Sequence, residues 1–107
     1  MALPMTLFAE ELESEMTGEG EDISTVVEAK DMLDESKVTL EGYVVEKVEK
    51  NIYVFRDDTG QVDATIDFHV RYGRKLEPDE RVRIDAEIAR DEADQVIIDV
   101  KKLKKLD

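Results

Sequence analysis

The sequence predicts a mainly β protein, a small barrel of five short strands preceded by one short α-helix. Three observations predict it. From Lys37 onward the apolar residues recur with period two, the spacing of strands with one buried face. Turn-forming residues interrupt that pattern at Asp57-Asp58-Thr59-Gly60, at Gly73 and Pro78, and at Asp91 to Asp94. Just before Lys37 the apolar spacing is helical, but only for a short run.

The helix comes first. Thr25-Val26-Val27-Glu28 fits a capping box, and Val26, Ala29, Met32 and Leu33 then recur at helical spacing, which predicts a helix over residues 26–34. So short a helix needs a surface to pack on. In the first strand Val38, Leu40 and Val44 alternate with Thr39, Glu41 and Tyr43. In the second, Tyr53 and Phe55 oppose Ile52, Val54 and Arg56. The Asp57-Asp58-Thr59-Gly60 turn follows, with Gly60 free to take positive φ. Val62, Ala64, Ile66 and Phe68 mark the third strand, Val82, Ile84, Ala86 and Ile88 the fourth, and Val96, Ile98 and Val100 the fifth.

Five such strands leave an uncovered apolar face and two unpaired edges unless the sheet closes. Gly42, in the middle of a long first strand, is where that strand would bend to pair on both sides. A long first strand, a hairpin, a longer connection and a second hairpin follow the order of a five-stranded Greek-key OB barrel, with the helix capping one end. A β-sandwich fragment is the alternative.

Charge divides the chain. Of 107 residues, 28 are acidic and 15 basic, for a net charge of −13. Seven of the acids, Glu10, Glu11, Glu13, Glu15, Glu19, Glu21 and Asp22, lie in residues 1–24, which hold no base. That segment is expected to be a disordered acidic tail, and residues 25–107 the folded domain. The first nine residues are apolar and end in Ala9 before two glutamates, the pattern of a signal-peptide remnant; a misassigned start or a plain apolar N-terminus gives the same letters. Lys101, Lys102, Lys104 and Lys105 make the far end basic, and are read as a solvated strand end.

Several function classes fall away. With no cysteine there is no disulfide scaffold, thiolate zinc site, iron–sulfur cluster or thiol nucleophile. No apolar run approaches the roughly 20 residues of a membrane-spanning helix. Asp58-Thr59-Gly60 matches an aspartic-protease triplet, but that chemistry needs two such aspartates and the sequence has one copy. His69 is the single histidine and has no nucleophile or ligand motif around it. No catalytic residue, metal site or cofactor is expected. Asp91, Glu92 and Asp94 offer hard oxygen ligands without the glycine and distal glutamate of a calcium loop.

OB barrels bind with the outer face of their first three strands and with the loops joining strands one–two and four–five. The candidate ligand residues are therefore Glu41, Tyr43, Ile52, Val54, Arg56, Asp63, Thr65 and Asp67 on the face, and Asp91 and Asp94 in the last loop; Thr39 adds to the face, and Glu46, Glu49 and Glu92 to the adjoining loops. A nucleic-acid surface needs lysine, arginine and stacking aromatics. Carboxylates around β-branched residues suit a cationic partner instead: a small molecule, a basic peptide or a basic protein patch.

Taken in order, Thr25-Val26 with Ala29-Lys30, Val38-Thr39-Leu40-Glu41-Gly42, Ile52-Tyr53-Val54-Phe55-Arg56-Asp57 with Thr59-Gly60, Ile66-Asp67, Pro78 and Val96-Ile97-Ile98-Asp99-Val100-Lys101 resemble the bacterial OB-fold (BOF) family, the YgiW/YdeI-like stress-tolerance proteins. The resemblance covers residues 24–104. It implies a small periplasmic, non-enzymatic protein, associated with tolerance of oxidative, metal, acid or antimicrobial-peptide stress and lacking the nucleic-acid site of other OB folds. Such a protein is expected to be a monomer with an envelope protein, peptide or cationic small molecule as partner. The sequence departs from the family pattern at Arg71 or Tyr72 and again near Glu92, where family members often have tryptophan, and in the Asp91–Gln95 loop, which is one residue longer; ligand contacts through those aromatics are not expected here. Two other readings remain open. One is a single-stranded nucleic-acid OB domain using Arg56, Arg71, Arg74 and the C-terminal lysines. The other is a cytosolic interaction domain with the acidic tail as a docking arm.

Overall fold

The structure, a computed structural model, describes residues 23–106. Its elements in chain order are β1 (Ile23–Ser24), α1 (Val26–Ala29), β2 (Lys37–Glu49), β3 (Ile52–Asp57), β4 (Gly60–Thr65), β5 (Arg81–Arg90) and β6 (Val96–Lys105). The signal-peptide remnant and the acidic tail through residue 22 lie outside the described residues. Ile23 and Ser24, assigned above to that tail, are instead a two-residue strand parallel to β2, opposite Thr39 and Leu40.

Strand β2 organises the barrel. Residues 37–43 pair antiparallel with β5, and residues 43–49 pair antiparallel with β3. Strands β3 and β4 form a hairpin, β4 runs parallel to β6, and β6 pairs antiparallel with β5. The order β2-β3-β4-β6-β5 therefore returns to β2 and closes the expected five-stranded barrel. Gly42 sits where β2 passes from one neighbour to the other. A β-carbon there would collide with the Arg56 carbonyl oxygen and stand 3.0 Å from Phe55 Cζ, so close approach fixes this glycine.

The predicted parities hold inside the barrel strands, but Phe68, expected on the third, lies beyond the end of β4 at Thr65 and is 57% exposed. Val38, Leu40, Val44, Phe55, Val62, Ala64, Ile84, Ala86, Ile88, Ile98 and Val100 all point into the core. Two irregularities in β2 and one between β5 and β6 bend the strands around it. The last leaves Lys101 as an extra residue, since Val100 lies opposite Ala86 and Lys102 opposite Asp85. Beyond it the parity flips: Leu103 faces inward opposite Ile84, while Lys102 and Lys104 are exposed.

The helix is shorter than the expected 26–34. The capping box forms, with Thr25 Oγ1 accepting from the Glu28 N–H at 3.1 Å and Glu28 Oε1 from the Thr25 N–H at 3.0 Å. Val26 and Ala29 are fully buried against the barrel. After Ala29 the backbone turns instead of continuing, and Glu35 takes φ 70°. Arg90 stabilises that departure: its Nη2 donates to the carbonyl of Lys30 (3.3 Å), which a helix running to Asp34 would have kept for its own ladder, and to that of Met32 (3.0 Å). Leu33, placed above on the helix stripe, is 80% exposed. Arg90→Ala is expected to cost about 1–2 kcal/mol and to speed amide exchange in residues 30–36 before the rest of the barrel, which hydrogen-exchange NMR would show.

The β3–β4 turn forms where expected, and Gly60 does not use its freedom to take positive φ. The Asp57 carboxylate shapes the turn instead. Its Oδ1 accepts from the Thr59 N–H (2.8 Å), the Thr59 hydroxyl (2.7 Å) and the Gly60 N–H (3.2 Å). Its Oδ2 accepts from the Val26 N–H at 2.9 Å, and Thr59 Oγ1 accepts from the Val27 N–H at 3.1 Å, so the hairpin caps the start of α1.

Candidate ligand-binding face

The outer surface of the barrel is set by the cross-strand rows. One row runs Glu49, Ile52, Thr65, Asp99 and Glu87; the next runs Glu46, Val54, Asp63, Ile97 and Ala89. Glu46 and Glu49, expected in a loop, are thus part of β2 and stand opposite Val54 and Ile52. The face is acidic with an apolar centre, as the sequence indicated. Ile52 and Ile97 are half-buried. Val54, expected to be exposed, is only 8% exposed. It stands between Glu46 and Asp63 in its row and contributes packing more than contact area.

A groove of about 400 Å³ opens where this face meets the loop joining β5 to β6. Asp63, Asp91 and Asp94, three of the predicted residues, line it together with Ile97. The loop geometry is explicit. Asp94 takes φ 65°, and Asp91 Oδ1 accepts from the N–H groups of Ala93 (2.8 Å) and Gln95 (2.9 Å). Asp91 is therefore committed to shaping the loop. Asp94 Oδ1 lies 3.9 Å from Arg90 Nε. Asp63 is exposed and has no ion pair among the described residues. Sequence reasoning missed Lys30, Arg90 and Ile97, which share the groove; the apolar Ile97 at an outward position was the available signal. The two cations moderate the negative charge that the aspartates bring.

The other predicted residues are not in this groove. Glu41 lies on the flank made by β2 and β5, where Arg81 Nη2 and Arg83 Nη2 each approach its carboxylate to 2.7 Å. It is occupied by these cross-strand partners and is not a free ligand group. Tyr43 is half-buried at the crossing, opposite both Arg81 and Arg56. Arg56 is exposed beside Gln61, and Thr65 lies next to Ile52 in the outer row. Asp67 is exposed at the start of the 66–80 connection, where its carbonyl accepts from the Val70 and Arg71 N–H groups. Among the described residues no set of three or more His, Asp or Glu side chains is arranged to hold a metal ion.

A closed five-stranded barrel of this connectivity, grooved between its outer face and the loop after its fourth barrel strand, is an OB-fold domain. The chain belongs to the bacterial OB fold (BOF) protein family, whose pattern matches residues 9–105. Protein YgiW of Escherichia coli strain K12 is 36% identical over 84 residues, which are 78% of this chain and 64% of that protein. The chain thus spans a little under two thirds of the length of this curated relative. A solved structure, of the hypothetical protein ygiW from E. coli, superposes with a TM-score of 0.74 at 36% identity, covering 78% of this chain and 89% of that one. The telomere capping protein Ten1 from Saccharomyces pombe superposes with a TM-score of 0.58 at 17% identity, covering 78% of this chain and 79% of that one, a likeness of fold alone.

Proposed function

We propose that the protein is a non-catalytic periplasmic binding module that contributes to envelope stress tolerance by holding a cationic ligand in the groove between Asp63 and the β5–β6 loop. The observation that carries this reading is the meeting of Asp63, Asp91 and Asp94 around the apolar Ile97. Carboxylates flanking an apolar floor fit an amphipathic cation such as a basic peptide, a small organic cation or a basic patch of an envelope protein. The periplasmic address and the stress role rest on family membership. In an NMR titration with a short amphipathic lysine-rich peptide, shifts are expected at Asp63, Asp94 and Ile97. Asp63→Lys with Asp94→Lys should weaken binding at least tenfold, with the melting temperature of the barrel little changed. Equal binding by the double variant would reject the groove as the site.

A further inference from the structure

The molecule has a second groove of opposite character. It measures about 600 Å³ and lies between the β2–β5–β6 flank and the 66–80 connection. We propose that this groove is a separate binding site for a ligand carrying two or more phosphate groups.

Its floor consists of two cross-strand rows. One runs Thr39, Asp85 and Lys102; the other starts at Glu41, outside the groove, and continues through Arg83 and Lys104 within it. Each row contains one carboxylate, and each carboxylate already has a donor. Asp85 Oδ1 accepts from the Thr39 hydroxyl at 2.9 Å, and Glu41 is held between Arg81 and Arg83. The lysines of β6 divide in the same way. Lys101 Nζ is 2.9 Å from Asp99, and Lys105 Nζ is 3.0 Å from Glu80. Lys102 and Lys104 have no carboxylate partner among the described residues, and both line the groove. The groove therefore presents two unmatched ammonium groups beside a guanidinium, in a chain whose net charge is −13.

The spacing gives the ligand its form. Lys102 and Lys104 are two residues apart on one strand, so their stems leave the backbone roughly 7 Å apart. A single small anion between two such stems engages both only by bending them inward. A ligand with two phosphate groups meets both in extended geometry, while Arg83, held by Glu41, adds positive charge beside them. Lysine binds phosphate as a point charge without the planar match that a carboxylate–arginine pair needs. On the opposite wall His69 and the 78%-exposed Tyr72 offer a ring edge and a phenol to whatever joins the phosphates.

Isothermal titration of the full chain with inorganic tripolyphosphate tests the proposal, with citrate as a carboxylate polyanion for comparison. Binding of tripolyphosphate at least tenfold tighter than citrate is expected, weakening as salt rises. Lys102→Glu with Lys104→Glu should abolish it, and the neutral pair Lys102→Gln with Lys104→Gln should weaken it at least tenfold. Lys47→Glu with Lys50→Glu, the same change of charge at the far β2–β3 turn, should leave it unchanged, which ties the loss to this groove and not to net charge. Co-sedimentation with vesicles containing phosphatidic acid distinguishes a lipid headgroup from a soluble phosphate ester as the source of the phosphates. No binding, equal binding of citrate, preference for a single-stranded oligonucleotide that survives substitution of Lys102 and Lys104, or undiminished binding by the Lys102 and Lys104 variants would each overturn the assignment.

Discussion

Gly42→Ala should destabilise the barrel by about 3 kcal/mol, a large part of the roughly 5–15 kcal/mol that holds a domain of this size together. The added methyl has nowhere to go. It meets the Arg56 carbonyl oxygen, which is backbone and cannot rotate aside, and the Phe55 ring, which is fully buried. Relief requires β2 and β3 to separate at the point where β2 changes partners, and the pairs at Tyr43–Arg56 and Val44–Phe55 would be lost first. Gly60→Ala is the control. A β-carbon at Gly60 would stand 3.8 Å from Val26 Cγ1, an ordinary contact, and its backbone has no positive φ to strain. Urea unfolding of the two variants should give midpoints far apart. Coincident midpoints would show that β2 and β3 can separate at little cost.

The second large effect is expected at Asp57. Asp57→Ala removes the acceptor for the Val26, Thr59 and Gly60 N–H groups and should cost about 2–3 kcal/mol. The same carboxylate makes stability depend on pH. Partial burial acts to raise its pKa, but the hydrogen bonds from the Thr59 hydroxyl and from the backbone of Val26, Thr59 and Gly60 outweigh burial and hold it below its ordinary value. The folded state therefore binds this proton less readily than the unfolded chain. The stabilisation is complete above the unfolded carboxyl pKa of about 4 and is lost as pH falls through the lower folded value. Between pH 7 and pH 5 the gap between wild type and Asp57→Asn should stay constant, and it should close in more acidic solution. A gap that stays open through the acid range would mean that Asp57 carries no charge-dependent part of the clasp.

Much of the fold is legible in the sequence because barrel strands repeat a two-residue period, and Leu40, Phe55, Ile84 and Ile98 fall where that period puts them. The capping box is local and equally readable. Features that depend on register are not. The extra residue at Lys101 inverts the parity of the end of β6, sending Leu103 inward and Lys102 and Lys104 outward. An unbroken alternation from Ile98 and Val100 would have turned the two lysines toward the core. Leu103, apolar at the wrong parity, is the one hint of it in the sequence. Glu41 was readable as an outward carboxylate, but not as the partner of Arg81 and Arg83, forty and forty-two residues away. The acidic groove was legible in its aspartates. It was not legible in Lys30 and Arg90, because the early end of the chain reaches that end of the barrel only through the turn after α1.

Strand β1 bears on how this barrel meets its own copies. On the side of β2 away from β5, the β3 ladder begins only at Tyr43, and Ile23 and Ser24 pair with Thr39 and Leu40 below it. Without them, that stretch of β2 would be an open seam, the kind of raw border on which one molecule templates the next into a growing chain. Two residues occupy its centre. A second molecule attempting to zip onto β2 there must first evict Ile23 and Ser24, whose departure would also pull on the capped start of α1.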